Sequence, residues 1–113
     1  MSIIFHIAQD PNWQQAQLNK IYQTENLKSA GFIHCSTKQQ LVQVANRFFA
    51  GQTELILLCI DSELVQPQIK YEESEPNQLF PHIYGALNLD AVVKVMTWKA
   101  DLDGKFSLTN FSF

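Results

Sequence analysis

The sequence predicts a mixed α+β fold, with two main helices packed against β-strands, and three patterns support this prediction. The segment "ELILLCID" (Glu54–Asp61) is apolar at nearly every position, which is typical of a strand buried on both faces. The segment "QLVQVANRF" has apolar residues three and four positions apart, which indicates a helix with one buried stripe. The opening "SIIFHIA" is a short apolar run that favours a strand.

A strand, a helix and a loop are predicted for the first 30 residues. Ser2–Ala8 is expected to be a strand that is apolar on both faces except at His6. A helix is then predicted from "QDPNWQQAQLN", with Asp10 as the N-cap and Pro11 at the first helical position. The polar segment Lys20–Ala30 has no clear period, and we expect a connecting loop there.

The motif "GFIHCST" (Gly31–Thr37) joins the next strand to the amphipathic helix. Phe32–Cys35 forms the predicted strand, and Ser36 with Gln39 three residues later has the capping-box pattern of a helix start. The helix is expected over residues 37–50, with Gly51 as its C-cap. Its predicted buried stripe consists of Leu41, Val44, Ala45 and Phe48.

The second half of the chain is predicted to be mainly extended. Glu54–Asp61 is placed as a central strand, and the segment with two prolines after it should hold a short strand leading into an exposed loop. The predicted extended segments are Ile69–Glu72, Phe80–Tyr84, Ala91–Trp98 and, after a turn at Asp103 and Gly104, an edge strand over Lys105–Phe113.

Length and composition narrow the class of protein. The 113 residues fit a single domain, 1–113, and the net charge of -3 with only one arginine shows no basic stripe for a nucleic-acid duplex. No apolar run approaches the roughly 18 residues of a membrane span, and we expect a cytoplasmic protein. Cys35 and Cys59 lack C-x-x-C spacing and are interpreted as buried core residues.

The three histidines of the chain each lie in an apolar, extended segment: "IFHIA", "GFIHCST" and "FPHIYG". Side chains two residues apart share a face of a strand, so His6, His34 and His82 can line one cleft. A histidine among apolar residues is also commonly a core residue bonded to backbone, and both interpretations stay open. Glu72 is singled out from its acidic neighbours because it ends a predicted strand and can turn inward.

Three other kinds of chemistry could use these residues. A three-histidine zinc site is not expected, because no local ligand pair such as H-E-x-x-H is present. A two-histidine phosphoesterase would use two H-x-(Ser/Thr) motifs, which correspond to H-I-A and H-C-S here, and it stays an alternative although Ala8 replaces the hydroxyl of one of them. A thiol nucleophile at Cys35 is rejected, because neighbouring residues on a strand point to opposite faces and His34 cannot serve it.

The segments "FHIA", "GFIHCST", "VANRFF" and "LFPHIYG", in this order, resemble the small bacterial family of unknown function DUF952. The resemblance covers about residues 1–98, and residues 99–113 are interpreted as a C-terminal extension. The family is distantly similar to the ADP-ribosyltransferase-like fold, an α+β architecture with a bent or split sheet that clamps NAD in a cleft. The resemblance therefore implies NAD, or a related small molecule carrying ADP-ribose or phosphate, as the substrate.

The same resemblance suggests roles for individual residues. His6 would hold a ribose hydroxyl, Ser36 with the helix start at Thr37 would hold a phosphate or carboxamide, and Glu72 would stabilise positive charge on the sugar. The implied catalytic residues are His34, Glu72 and His82, and the implied ligand-binding residues are His6, Ser36, Thr37, Arg47 and Tyr84. Arg47 is alternatively a helix-end cation, and the whole cleft alternatively a non-catalytic binding module for a nucleotide-like ligand or partner.

Overall fold

A computed structural model describes residues 2–108 and confirms the mixed α+β class; within that range it has three α-helices and three antiparallel sheets. The helices are α1 (Asp10–Asn19), α2 (Glu25–Ala30) and α3 (Lys38–Phe48). The strands are β1 (Ile3–Ala8), β2 (Ile21–Tyr22), β3 (Ile33–His34), β4 (Glu54–Asp61), β5 (Gln68–Glu75), β6 (Gln78–Tyr84), β7 (Leu87–Asn88) and β8 (Val92–Lys99).

The strands form two three-stranded sheets and one short pair. The first sheet has the order β1-β4-β8, the second has the order β3-β6-β5, and β2 pairs with β7. An isolated bridge connects the two larger sheets, because Phe5 and Ser36 exchange backbone hydrogen bonds of 2.8 and 2.7 Å. This bridge holds the end of the "GFIHCST" motif against β1.

The central strand β4 is buried on both faces, as its continuous apolar sequence predicts. Leu58 and Ile60 face a core shared with the second sheet. Leu57 and Cys59 face a second core, which the first sheet shares with α3. Both cysteines are almost fully buried, as predicted, and burial raises the pKa of the Cys35 thiol. The two cores fix the first sheet between the second sheet on one side and α3 on the other.

Helix α3 begins one residue later than the sequence suggests. Ser36 is still engaged in the bridge to Phe5, so Thr37 becomes the N-cap and its N–H donates to Gln40 Oε1 at 3.0 Å. At the other end the helix stops at Phe48, with Phe49 rather than Gly51 as the C-cap. Phe48 is 61% exposed, so the predicted buried stripe ends at Ala45.

Two further expectations for the first third of the chain were wrong. The predicted loop at Lys20–Ala30 contains β2 and α2, so the chain has a third helix in addition to the two expected. The N-cap of α1 is Gln9 rather than Asp10, which lies in the first turn. Helix α2 has no buried residue, which explains why no apolar period marks it, and the Thr24 hydroxyl caps it by accepting from Leu27 N–H.

The segment expected to be a short strand and an exposed loop is a hairpin. β5 continues to Glu75 and turns directly into β6 through Pro76 and Asn77, whose φ of 62° suits a tight turn. Residues 105–108 are not the predicted edge strand, because Phe106 is buried and exchanges hydrogen bonds of 2.8 and 2.9 Å with the Asn46 side chain. Residues 109–113 of that prediction lie outside the described residues.

No helix within residues 2–108 is both long and apolar enough to cross a membrane.

Candidate functional site

The second sheet brings two of the three histidines side by side. In its register His34 of β3 pairs with His82 of the central strand β6, and His82 pairs with Lys70 of β5. The imidazole rings of His34 and His82 lie 5.3 Å apart between centroids. The sequence placed these residues 48 positions apart, and only strand pairing brings them together.

Glu72 accepts hydrogen bonds from two side chains of β6. His82 Nδ1 lies 2.8 Å and the Tyr84 hydroxyl 2.5 Å from the same carboxylate oxygen, Glu72 Oε1. The bonds from Tyr84 and then His82 lower the pKa of the Glu72 carboxyl, so it is ionised at neutral pH. The bond to Glu72 in turn raises the pKa of Tyr84. We call Glu72, His82, Tyr84 and Ser74 the carboxylate–histidine cluster.

The bond to Glu72 also sets the tautomer of His82. An ionised carboxylate only accepts, so Nδ1 carries a proton, and in the neutral form of an imidazole the other nitrogen, Nε2, is then an acceptor. Ser74 Oγ lies 3.1 Å from Nε2, with its hydroxyl placed to donate to it. Phe32 stacks on the His82 ring at 4.0 Å between centroids and fixes its plane.

Ser74 is a functional candidate that the sequence reasoning missed. The spacing Glu72-x-Ser74 puts both side chains on one face of a regular strand, which is a usable signal, but the expected loop obscured it. The register shifts between Glu73 and Glu75, so Ser74 lies at a β-bulge. Bulges commonly redirect a side chain next to a functional site.

His34 connects this cluster to open space. Its half-buried ring lines a cavity of about 190 Å³ together with Ser74, Arg47 and Phe80, and a smaller one of about 100 Å³ together with His6 and Ser36. Burial, and then the neighbouring His82, lower the pKa of His34, while Glu75 partly opposes them. The His34 imidazole is therefore neutral at pH 7.

His6 lies behind His34 and its ring is bonded at both nitrogens. Nδ1 donates to the His34 carbonyl oxygen at 2.6 Å, and Nε2 accepts from the buried Tyr22 hydroxyl at 2.8 Å. Burial lowers the pKa of His6 to about 4, although the bond to the His34 carbonyl opposes the shift. His6 thus holds the backbone of His34 and presents no unbonded nitrogen to the cavity.

The remaining predicted residues lie around α3. Ser36 is buried at its start and lines the smaller cavity, while the Thr37 N–H is already bonded to the Gln40 side chain. Arg47, in the last turn, forms a 2.7 Å ion pair with Glu75 at the wall of the 190 Å³ cavity.

Other parts of the described chain offer less chemistry. A larger cavity of about 400 Å³ between the start of α1 and β4, and one of about 270 Å³ between α1 and α2, contain no histidine, cysteine or tyrosine. Within residues 2–108 no three His, Cys, Asp or Glu side chains are grouped to hold a metal ion. The reactive side chains are thus concentrated around His34.

Residues 7–95 match the model of a protein family, DUF952, whose description is "protein of unknown function". The chain belongs to this family. Every predicted site residue lies within the matched DUF952 region except His6, which immediately precedes it.

Solved structures give the same fold. The crystal structure of protein CC0527 from Caulobacter crescentus is 28% identical, with a TM-score of 0.86 and 96% of each chain covered. Its solution NMR structure is 29% identical, with a TM-score of 0.84 over 99% of this chain and 97% of that one. No curated protein matches the sequence.

Proposed function

We propose that this DUF952 protein is an enzyme that binds NAD, or a related small molecule carrying ADP-ribose or phosphate, and acts at the ribose. The observation that carries the proposal is the ionised carboxylate of Glu72, fixed by His82 and Tyr84 in a cluster whose Ser74 lines the His34 cavity. Cleavage at the anomeric carbon of a ribose develops positive charge on the sugar. A preorganised carboxylate stabilises that charge in the transition state.

The arrangement of the sheets supports the finer fold assignment within this proposal. Two separate antiparallel sheets, linked by the Phe5–Ser36 bridge, are consistent with the split sheet of an ADP-ribosyltransferase-like fold. The cavity lined by His34 lies where α3 meets the second sheet. A cytoplasmic location, where NAD is plentiful, belongs to the same proposal.

The side chains divide the chemistry between them. Glu72 faces the developing charge, and His82 exchanges protons through Nε2 as general acid or base. His34, neutral and half-buried, donates one hydrogen bond to the ligand. Arg47 exchanges Glu75 for a phosphate, since a guanidinium binds either group through paired N–H donors. His6 acts indirectly, by holding His34 in place.

Two alternative functions differ from the proposed ribose chemistry in ways that can be tested. A non-catalytic module binds a nucleotide-like ligand in the same cleft without turnover. A two-histidine phosphoesterase requires a free imidazole at both His6 and His34, and the two bonds at His6 speak against it. Arg47 and Phe48 at the cavity wall favour an anionic, ring-bearing ligand in either case.

The experiment compares ligand binding and turnover. ADP-ribose at millimolar concentration is expected to raise the melting temperature, because a ligand bound only by the folded state stabilises it. NAD cleavage, followed by nicotinamide release, is expected to fall by about 100-fold in Glu72→Gln. The matched control is Glu73→Gln, an exposed neighbour on the opposite face of β5.

The results of these two assays distinguish the enzyme from the alternatives. Binding with no nicotinamide release in the unaltered protein identifies a binding module. Equal cleavage by Glu72→Gln and Glu73→Gln removes Glu72 from the mechanism. The absence of any melting shift with ADP-ribose or NAD contradicts the proposed ligand class.

A further inference from the structure

Ser74, His82 and Glu72 form a chain of hydrogen bonds that the proposed ribose chemistry does not require in full. Ser74 Oγ lies 3.1 Å from His82 Nε2, and Glu72 Oε1 lies 2.8 Å from His82 Nδ1. This is the connectivity of a nucleophile, a general base and the carboxylate that orients the base. Ribose cleavage uses Glu72 and His82 and leaves the serine without a role.

The surroundings of Ser74 suit a nucleophile. Its side chain is exposed and lines the 190 Å³ cavity, whereas His82 is buried and stacked against Phe32. The β-bulge at Ser74 interrupts the pairing of β5 with β6 at this residue alone within the hairpin. The serine is therefore placed at an irregular point of the strand, between solvent and a fixed base.

We propose that Ser74 is an activated nucleophile that hydrolyses small carboxylic esters, with His82 as its general base and Glu72 orienting His82. Ser74 Oγ attacks the ester carbonyl carbon while its proton moves to His82 Nε2. The tetrahedral intermediate expels the alcohol, which takes that proton from His82. A water molecule, deprotonated by His82, then attacks the acyl carbon of the acyl-serine. The second tetrahedral intermediate expels Ser74 Oγ, which takes the proton back from His82, and the carboxylic acid is released.

The cavity defines the class of ester. A volume of about 190 Å³ is below the roughly 300–1,000 Å³ of common ligand pockets, so the acyl group that enters it is short, while the rest of a larger ligand lies outside the cavity. Val44, Phe48 and Phe80 supply apolar walls for such a group. The neutral imidazole of His34, on the same cavity, can donate an N–H to the oxyanion of the intermediate.

The test is covalent labelling of the full chain by a fluorophosphonate, followed by peptide mass mapping. The phosphonyl group is expected on Ser74, with loss of fluoride, and hydrolysis of p-nitrophenyl acetate is expected to stop in the labelled protein. Ser74→Ala is expected to abolish the label, while the control Ser29→Ala, at an exposed serine of α2, keeps it.

Variants of the carboxylate separate activation from mere exposure of the serine. Glu72→Gln is expected to slow labelling of Ser74 by about 100-fold, the usual contribution of acid–base catalysis, while Glu73→Gln leaves the rate unchanged. A label on other residues, no label at all, or equal rates for the two variants would overturn the proposal.

Labelling requires no NAD, so it is independent of the proposed ribose chemistry. A melting shift with ADP-ribose but no label on Ser74 refutes the esterase proposal alone. A label on Ser74 without any response to ADP-ribose or NAD supports the esterase and contradicts the ribose chemistry.

Discussion

Acidification is expected to destabilise the protein through His6. The pKa of His6 is lowered from 6.5 to about 4 in the folded state, mainly because burial disfavours the charged ring. Between those values the unfolded chain binds a proton at His6 that the folded protein does not. The stabilisation is therefore complete above pH 6.5, falls as the pH drops, and is lost near pH 4.

The size of the effect follows from the shift. Each pKa unit corresponds to about 1.4 kcal/mol, so His6 accounts for about 3 kcal/mol at most over the full window. About 2 kcal/mol of this is lost between pH 7 and pH 5. A domain of this size commonly has only 5 to 15 kcal/mol or so of stability, and the loss should be easy to measure. The lowered pKa of His34 acts in the same direction.

The assay is urea unfolding at pH 7 and pH 5 for the unaltered protein and for His6→Gln. The variant is expected to be less stable at pH 7 but to lose about 2 kcal/mol less on acidification. The change in the free energy of unfolding between pH 7 and pH 5 that remains in the variant comes from His34 and the carboxyl groups. An equal loss in both proteins, or a His6 pKa near 6.5 by NMR titration, would refute the reasoning.

Two further predictions concern buried hydrogen bonds. Tyr22→Phe removes the donor to His6 Nε2 and is expected to cost about 1–3 kcal/mol in urea unfolding, whereas the control Tyr71→Phe, at a half-exposed ring, should cost almost nothing. Asn46→Ala leaves the backbone N–H and carbonyl of Phe106 without their partner, and a similar loss is expected; an unchanged unfolding midpoint would show that residues 105–108 do not contribute to stability.

The elements predicted best from the sequence are those whose own residues show a clear pattern of buried apolar side chains. The continuous apolar run of β4 and the stripe Leu41, Val44 and Ala45 of α3 each mark surfaces that the fold covers. Helix α2 and strand β2 were missed because the helix buries no residue and the strand has only two. The position of α2 depends on its caps and that of β2 on pairing with β7, and neither produces a periodic pattern in the sequence.

Most members of the site were predictable from the sequence, but Ser74 and the hydrogen bonds between the members were not. The three histidines stand out because each lies in an apolar segment, and Glu72 stands out because it ends a predicted strand. The register of β6 against β5 decides that His82 meets Glu72. His6 of β1 meets Tyr22 of β2 through a contact between different sheets, which no local pattern predicts. The bulge at Ser74 lies in the part of β5 that the sequence predicts to be a loop, so it could not be predicted before the pairing of β5 with β6 was known.

The most direct test of a ligand site at His34 and His82 is the NMR signal of the imidazole carbons during titration with ADP-ribose. The chain has three histidines, so the three signals can be assigned by single substitutions. The His34 and His82 signals are expected to move together and saturably, while the His6 signal, with both nitrogens already bonded, should move least. Three signals that stay fixed at millimolar ADP-ribose, or a shift confined to His6, would contradict this account.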